Sequence, residues 1–192
     1  ALKYISKKIP NFSIKGVDLN KSRLILSTVH RRENWGDNLF QIAKGLKKIV
    51  DEFNDVVLLV PMHKNPVVRE PLKRVLGGNP RILLSEPLSY EKLVSAIQSS
   101  TIIISDSGGI QEEAPTFGKP VLVLRENTER IEVIENGVAK LVGTDKENIF
   151  REAKILLTNT LEYDSMSKQS NPYGDGNASS MILETCCEFL KV

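Results

Sequence analysis

Four short stretches hold most of the residues able to do chemistry. They are Ser27 to Asp37, "STVHRRENWGD"; Val60 to Pro66, "VPMHKNP"; Ser105 to Glu113, "SDSGGIQEE"; and Leu124 to Glu132, "LRENTERIE". Between them they contain both histidines, His30 and His63, together with Arg31, Arg32, Arg125 and Arg130 and the carboxylates Glu33, Glu113 and Glu129. Ser107-Gly108-Gly109 follows the apolar run Thr101-Ile102-Ile103-Ile104 and opens a helix, so its backbone can approach a ligand and its unpaired N–H groups favour an anion. A plain strand-to-helix connection would read the same way in isolation. His30 beside two guanidinium groups suits a phosphate, since imidazole and arginine both donate charge-assisted hydrogen bonds. Alone, it would equally be a solvated cluster capping the next helix. His63 taken singly is an ordinary hydrogen-bonded histidine. Glu112 and Glu113 either complement the positive start of their helix or, for Glu113, grip a pair of hydroxyls as the acid of a nucleotide site grips a ribose. Together, the helix start, the cations from neighbouring loops and the carboxylate one turn on compose a nucleotide diphosphate site.

The elements that must position these loops are visible as apolar runs. Leu24 to Val29, Val56 to Val60, Arg81 to Leu84, Thr101 to Ile104, Pro120 to Leu124 and Val138 to Val142 are short, β-rich and each followed by helical spacing. Continuous runs such as "VVLLV" belong to strands covered on both faces, and the alternation predicts a Rossmann-like, doubly wound parallel sheet with helices on both faces. All four polar stretches would then open on the carboxyl edge of the sheet, where ligands bind in this architecture. One helix is expected from Leu39 to Phe53, capped by Asp37 or Asn38. Another should follow Thr144 and Glu147, which have capping-box spacing. The stretch from Leu161 to Ser180 lacks periodicity and is rich in Asn, Pro, Gly and Ser, which predicts loop and turn. An amphipathic helix then closes the chain from Met181 to Leu190.

Composition narrows the class. With 192 residues and 41% hydrophobic content the chain can bury one sizeable core. Its 26 basic against 24 acidic residues leave a net charge of +2 and no basic tract, which argues against a nucleic-acid partner. No apolar stretch reaches the roughly twenty residues of a membrane span, and "ALKYISKKIP" lacks the order of a signal peptide. The two cysteines, Cys186 and Cys187, are neighbours and cannot form a disulfide framework, so a reducing, cytoplasmic setting is expected.

The segments "TVHRRENWG", "PMHKNP", "SDSGGIQEEAPTFGKPVLVLRENTER" and "NPYGDGNAS" resemble the C-terminal half of the non-hydrolysing UDP-N-acetylglucosamine 2-epimerases. The resemblance implies the C-terminal half of a GT-B fold, in which two Rossmann-like domains face each other across a cleft. It implies residues 1–10 as a remnant of the interdomain connection, 11–175 as the UDP-binding domain and 176–192 as a helix packing on an N-terminal domain. Independently, Leu2, Ile5 and Ile9 make a short helical stripe that ends at Pro10 with no strand ahead of it and no cap at Ala1, so the chain reads as cut from something longer. The implied reaction interconverts UDP-N-acetylglucosamine and UDP-N-acetylmannosamine by eliminating UDP and adding it back through 2-acetamidoglucal.

By motif, Ser107, Gly108 and Gly109 would bind the diphosphate, Glu113 the ribose and Arg130 the phosphates. His30 would stabilise the departing UDP. Leu88 and Leu93 would line the uracil, and Arg31 and His63 match positions associated with a second, regulatory substrate molecule. Leu93 stands where relatives often carry Phe, and Ile131 where a proline is common. The resemblance implies no cofactor and no metal. Its partners would be the UDP-sugar, the N-terminal half of the same enzyme and, in the full-length protein, a second copy in a homodimer, with neither nucleic acid nor membrane. The competing readings are a GT-B glycosyltransferase, which would pass the sugar to an acceptor, a hydrolysing epimerase and a UDP-sugar binding module without catalysis.

Overall fold

The computed structural model describes residues 2–10, 12–14, 16–174 and 176–190. After a short helix α1 (Leu2–Ser6) come β1 (Arg23–Thr28), α2 (Asp37–Glu52), β2 (Val56–Pro61), α3 (Pro66–Leu76), β3 (Ile82–Ser85) and α4 (Tyr90–Ser99). The second half continues with β4 (Ile102–Ser105), α5 (Gly108–Glu113), β5 (Val121–Val123), α6 (Ile131–Glu135), β6 (Ala139–Leu141), α7 (Lys146–Thr158), α8 (Thr160–Ser167) and α9 (Ala178–Leu190). Single 3-10 turns cover Arg32–Asn34 and Ala114–Phe117. Each sequence run overlaps its strand, with no end displaced by more than one residue.

The six strands are parallel in the order β3-β2-β1-β4-β5-β6. The order reverses between β1 and β4, and the crevice beyond the carboxyl ends of that pair is where such sheets take ligands. Their register, Ile25 opposite Ile102 and Thr28 opposite Ser105, carries both strands to the same height. There the Thr28 and Ser105 hydroxyls meet at 2.7 Å.

The apolar runs are continuous because each strand feeds two cores. Ile25, Leu58, Ile104 and Leu122 pack with the inner faces of α2, α3 and α7, whereas Leu24, Leu26, Leu59, Ile103 and Val121 pack with α4, α5 and α6. Along α2, Leu39, Ile42, Ala43, Leu46, Ile49 and Val50 form the expected buried stripe. Gly45 on that helix lies so close to α7 that a Cβ would stand 3.1 Å from the Lys146 carbonyl oxygen.

Three local expectations are corrected. Neither Asp37 nor Asn38 caps α2: Gly36 does, with φ 77° and ψ −134°, a conformation costly for any residue with a Cβ, and Asp37 lies in the first helical turn. Thr144 and Glu147 do not form a capping box at α7, because Asp145 holds the cap, its carboxylate accepting from the Glu147 and Asn148 amides at 3.0 and 2.9 Å. Leu161 to Ser180 is not all loop, since α8 occupies its first part. Asn159 caps that helix by accepting from Leu161 N and Glu162 N. Helix α8 buries no residue fully, so it lacks the apolar stripe that betrays a helix in sequence; Tyr163 and Met166 tack it onto the core, and the Tyr163 hydroxyl donates to the Thr101 carbonyl at 3.1 Å.

Helix α9 starts three residues before the expected Met181 and buries none of its residues, leaving Met181, Ile182 and Phe189 exposed. Cys186 and Cys187 are free thiols on it. Among the described residues no helix is long and apolar enough to cross a membrane. Ala1, Asp175 of the "NPYGDG" motif and the last two residues, all within the sequence-based domain limits, lie outside the described residues.

Candidate functional site

Beyond β1 and β4 the chain turns into two loops held together by one carboxylate. Asp106 is completely buried. Its oxygens accept from the His30 amide at 3.0 Å, the Arg31 amide at 2.9 Å and Asn34 Nδ2 at 2.9 Å, and His30 Nδ1 lies 3.1 Å from Oδ1. Burial alone would raise the pKa of Asp106, but the His30 ring and the two amides outweigh it and hold the carboxyl below its ordinary value. His30 in turn is raised above the ordinary imidazole value: the Asp106 hydrogen bond is the largest cause, burial opposes it, the charge of Asp106 adds to it and Arg31 subtracts. His63, from the loop after β2, stacks beside His30 with ring centroids 6.3 Å apart.

At the start of α5, the Ser107 amide is already taken by the Ser105 hydroxyl at 3.0 Å. First-turn N–H groups have no intrahelical acceptor, so the backbone donors that remain for a ligand begin at Gly108, and Ser107 contributes its hydroxyl. A Cβ on Gly108 would stand 3.1 Å from Glu129 Oε1, 3.5 Å from Arg31 Nη2 and 3.7 Å from Arg130 Nη2. At Gly109 the nearest atom to such a Cβ is Ser107 Oγ at 3.9 Å, so that face is open.

The arginines are paired among themselves with carboxylates. Arg31 binds Glu129 at 2.9 Å and the Asp106 carbonyl at 2.9 Å; Arg125 bridges Glu33 and Glu129; Arg130 Nε lies 2.5 Å from Glu112. Glu129 is pulled down to about 2, first by its own backbone N–H and then by Arg125. Arg32 turns away and sits over the Trp35 ring.

Glu112 and Glu113 diverge, and both lie at the end of α5, so neither complements its positive start. Glu112 holds Arg130, while Glu113 accepts from the Tyr90 hydroxyl at 3.0 Å. Burial raises the Glu113 pKa; the Tyr90 bond opposes this and the neighbouring Glu112 charge adds to it.

Glu113, Leu88, Leu93, His30, His63, Ser107 and Gly109 line one cavity of about 360 Å³. Glu129, Arg31 and Arg130 surround Gly108, which adjoins Ser107 and Gly109 of the lining. Most of the sequence-derived residues thus line one cavity, apolar at Leu88 and Leu93, while Gly108, Arg31 and Arg130 lie beside it, outside its lining. A larger cavity of about 810 Å³ between α1 and α4 has no histidine or arginine among its lining residues.

Three polar residues of this centre were not singled out by sequence. Asp106 and Asn34 join segments more than 70 positions apart. Buried Gln111 donates to the Ser107 carbonyl at 3.2 Å and accepts from the Thr128 hydroxyl at 2.8 Å, which itself accepts from the Arg130 amide at 3.1 Å. That relay ties the Ser107 turn to the Arg130 loop. Nothing in the local sequence marks these three residues, since Asn34 stands among charged residues, Asp106 in a polar turn and Gln111 beside two glutamates, and such residues are buried only when paired. Asn171 of "NPYGDG" closes the far side, donating to the Glu112 carbonyl and the Thr116 hydroxyl.

Comparison with known proteins decides the family. The chain matches the description UDP-N-acetylglucosamine 2-epimerase over residues 1–186. It belongs to that family. The UDP-N-acetylglucosamine 2-epimerase of Bacillus subtilis is 50% identical over 166 residues, which are 86% of this chain and 44% of that protein. The Neisseria meningitidis epimerase solved with bound UDP-GlcNAc superimposes with a TM-score of 0.86 at 39% identity, covering 97% of this chain and 48% of the other. Staphylococcus aureus MnaA, solved with UDP, gives a TM-score of 0.85 at 46% identity, covering 90% and 47%. The chain spans about half the length of the curated relatives it matches. Its sheet is the Rossmann-like half of a GT-B epimerase fold.

Proposed function

We propose that this chain is the nucleotide-binding half of a UDP-N-acetylglucosamine 2-epimerase, which interconverts UDP-N-acetylglucosamine and UDP-N-acetylmannosamine. The observation that carries this is a cavity whose one end carries Ser107, Gly109 and His30, with Arg130 and Glu129 at the adjoining Gly108, and whose other end, at Leu88 and Leu93, is apolar. A diphosphate needs the first end and a uracil suits the second.

The C2 hydrogen of the sugar stands beside no carbonyl, so its direct removal is unfavourable. Elimination avoids this: the C1–O bond breaks with its electron pair leaving on UDP, the C2 proton goes to a base, and 2-acetamidoglucal remains. UDP then adds back at C1 while a proton returns to the opposite face of C2. Charge develops on the departing diphosphate, and preorganised donors there lower the barrier most.

In this scheme Ser107 Oγ and the Gly108 and Gly109 amides hold the diphosphate with Arg130, and His30 donates to the departing oxygen. Glu113 accepts from the ribose hydroxyls. Its pairing with Tyr90 keeps the carboxylate aimed into the cavity, and Leu88 and Leu93 contact the uracil through backbone and side chain. Arg31 and His63 face a second substrate molecule.

The base at C2 belongs to an N-terminal half of the same enzyme, against which the exposed apolar residues of α9 pack, and the full-length enzyme is a cytoplasmic homodimer. Titration calorimetry of this chain should show UDP binding at least tenfold tighter than UMP, because one charge-assisted phosphate contact contributes about 1.5–3 kcal/mol. NMR of the same sample should show no interconversion of the two sugar nucleotides. Equal affinity for UDP and UMP would contradict the diphosphate site, and turnover by the chain alone would contradict the division of labour.

A further inference from the structure

We infer that Asp106 is the positioning residue of His30, holding a proton on Nδ1 and favouring the imidazolium, whose Nε2–H is presented to the diphosphate as a donor. This deepens the proposed function and rests on its assignment of His30 to the departing UDP. The two loops are already joined without the imidazole: the His30 and Arg31 amides and Asn34 Nδ2 all donate to the Asp106 carboxylate, at 3.0, 2.9 and 2.9 Å. All three reach Oδ2, and Oδ1 takes only the longer branch of the His30 amide, at 3.2 Å. The fourth contact, His30 Nδ1 to Oδ1 at 3.1 Å, adds nothing to loop closure and fixes the ring instead.

A fully buried carboxylate surrounded by donors stays ionised, so it acts as an acceptor and a negative charge at Nδ1. Nδ1 must then carry hydrogen. The ring is half exposed on the cavity side, its side chain 43% accessible, and Nε2 is the remaining polar atom. With both nitrogens protonated the imidazolium can donate to a departing phosphate oxygen while Asp106 balances its charge, and no proton need reach Asp106 itself.

The neighbouring groups sharpen the contrast. Arg31 opposes protonation of His30 by charge, Asp106 favours it, and Glu113 faces the same cavity from α5. His63, stacked on His30, has the opposite arrangement: its Nδ1 accepts from the Asn65 amide at 3.1 Å. In the neutral ring its proton is therefore on Nε2. Two adjacent imidazoles thus have different tautomers set by backbone and carboxylate partners, and only His30 has an anion behind it.

The test uses the chain as it stands, whose two histidines make the imidazole NMR spectrum simple to assign. The expected result is an Nδ1-protonated His30 with a pKa above the ordinary value of 6.5. UDP affinity should decline as pH rises through that value, because the donating form is lost. Asp106→Asn, which keeps an acceptor oxygen for the amides, should lower the His30 pKa by about one unit or more and shift the pH profile of UDP binding down with it. If that variant does not fold, the wild-type spectrum still decides: an Nε2-protonated neutral ring, or a pKa at or below 6.5, overturns the proposal. An unchanged His30 titration in a folded Asp106→Asn protein overturns it as well. UDP failing to bind wild-type protein at any pH would overturn the functional assignment of the site, and with it the role given to Nε2, even if the ring titrates as expected.

Discussion

Replacement of His30 by alanine in the full-length epimerase is expected to lower kcat about 10²–10³-fold while KM changes little, as for loss of one preorganised donor to developing charge. His30 sits where the loops after β1 and β4 meet, with an anion behind it and the cavity before it. In the proposed scheme ground-state UDP-sugar already has Arg130 and the Gly108–Gly109 backbone for its phosphates, so the imidazole matters most when the C1–O bond breaks. The same enhancement applies in both directions, because re-addition passes through the same charge distribution. Steady-state kinetics in each direction would show equal losses. A rise in KM with kcat intact would mean that His30 serves only ground-state binding.

Gly109→Ala is expected to weaken UDP binding by about 10–100-fold without destabilising the fold. A Cβ there meets no neighbour closer than 3.9 Å, and a helical glycine changed to alanine gains roughly 0.5–1 kcal/mol from reduced backbone entropy. The added methyl group projects into the space that a diphosphate must enter to reach the amides. Loss of one or two charge-assisted hydrogen bonds accounts for the expected drop. Thermal unfolding and calorimetry on the same sample separate the effects. Undiminished UDP affinity in Gly109→Ala would remove the diphosphate from this turn.

The strands were legible because burial on both faces leaves no room for polar alternation, as in "VVLLV" and "IIIS". Their carboxyl-end loops follow from parallel topology alone, which is why the sequence groups His30, His63, Ser107, Gly109 and Glu113. What stayed hidden was tertiary. Asp106 reads as one more polar residue of a turn, and its role appears only when His30 arrives from 76 positions away. Gln111 reads as a helix residue among glutamates, yet it is the buried link between the Ser107 turn and Thr128. Helix α8 left no apolar stripe because it buries nothing fully. The caps at Gly36 and Asp145 escape sequence reading for local reasons, since Gly36 caps through a backbone conformation with no side chain to betray it and Asp145 stands next to Thr144, an equally suitable capping residue.

The central claim is that a uridine diphosphate lies with its phosphates on the Gly108–Gly109 backbone and its base at Leu88 and Leu93. A crystal structure of the chain soaked with UDP tests it most directly. The account expects diphosphate oxygens within hydrogen-bonding distance of the Gly108 or Gly109 amide, His30 Nε2 and the Arg130 guanidinium, with the ribose against Glu113. UDP bound instead in the cavity between α1 and α4, with the Gly108–Gly109 turn carrying no phosphate, would contradict it.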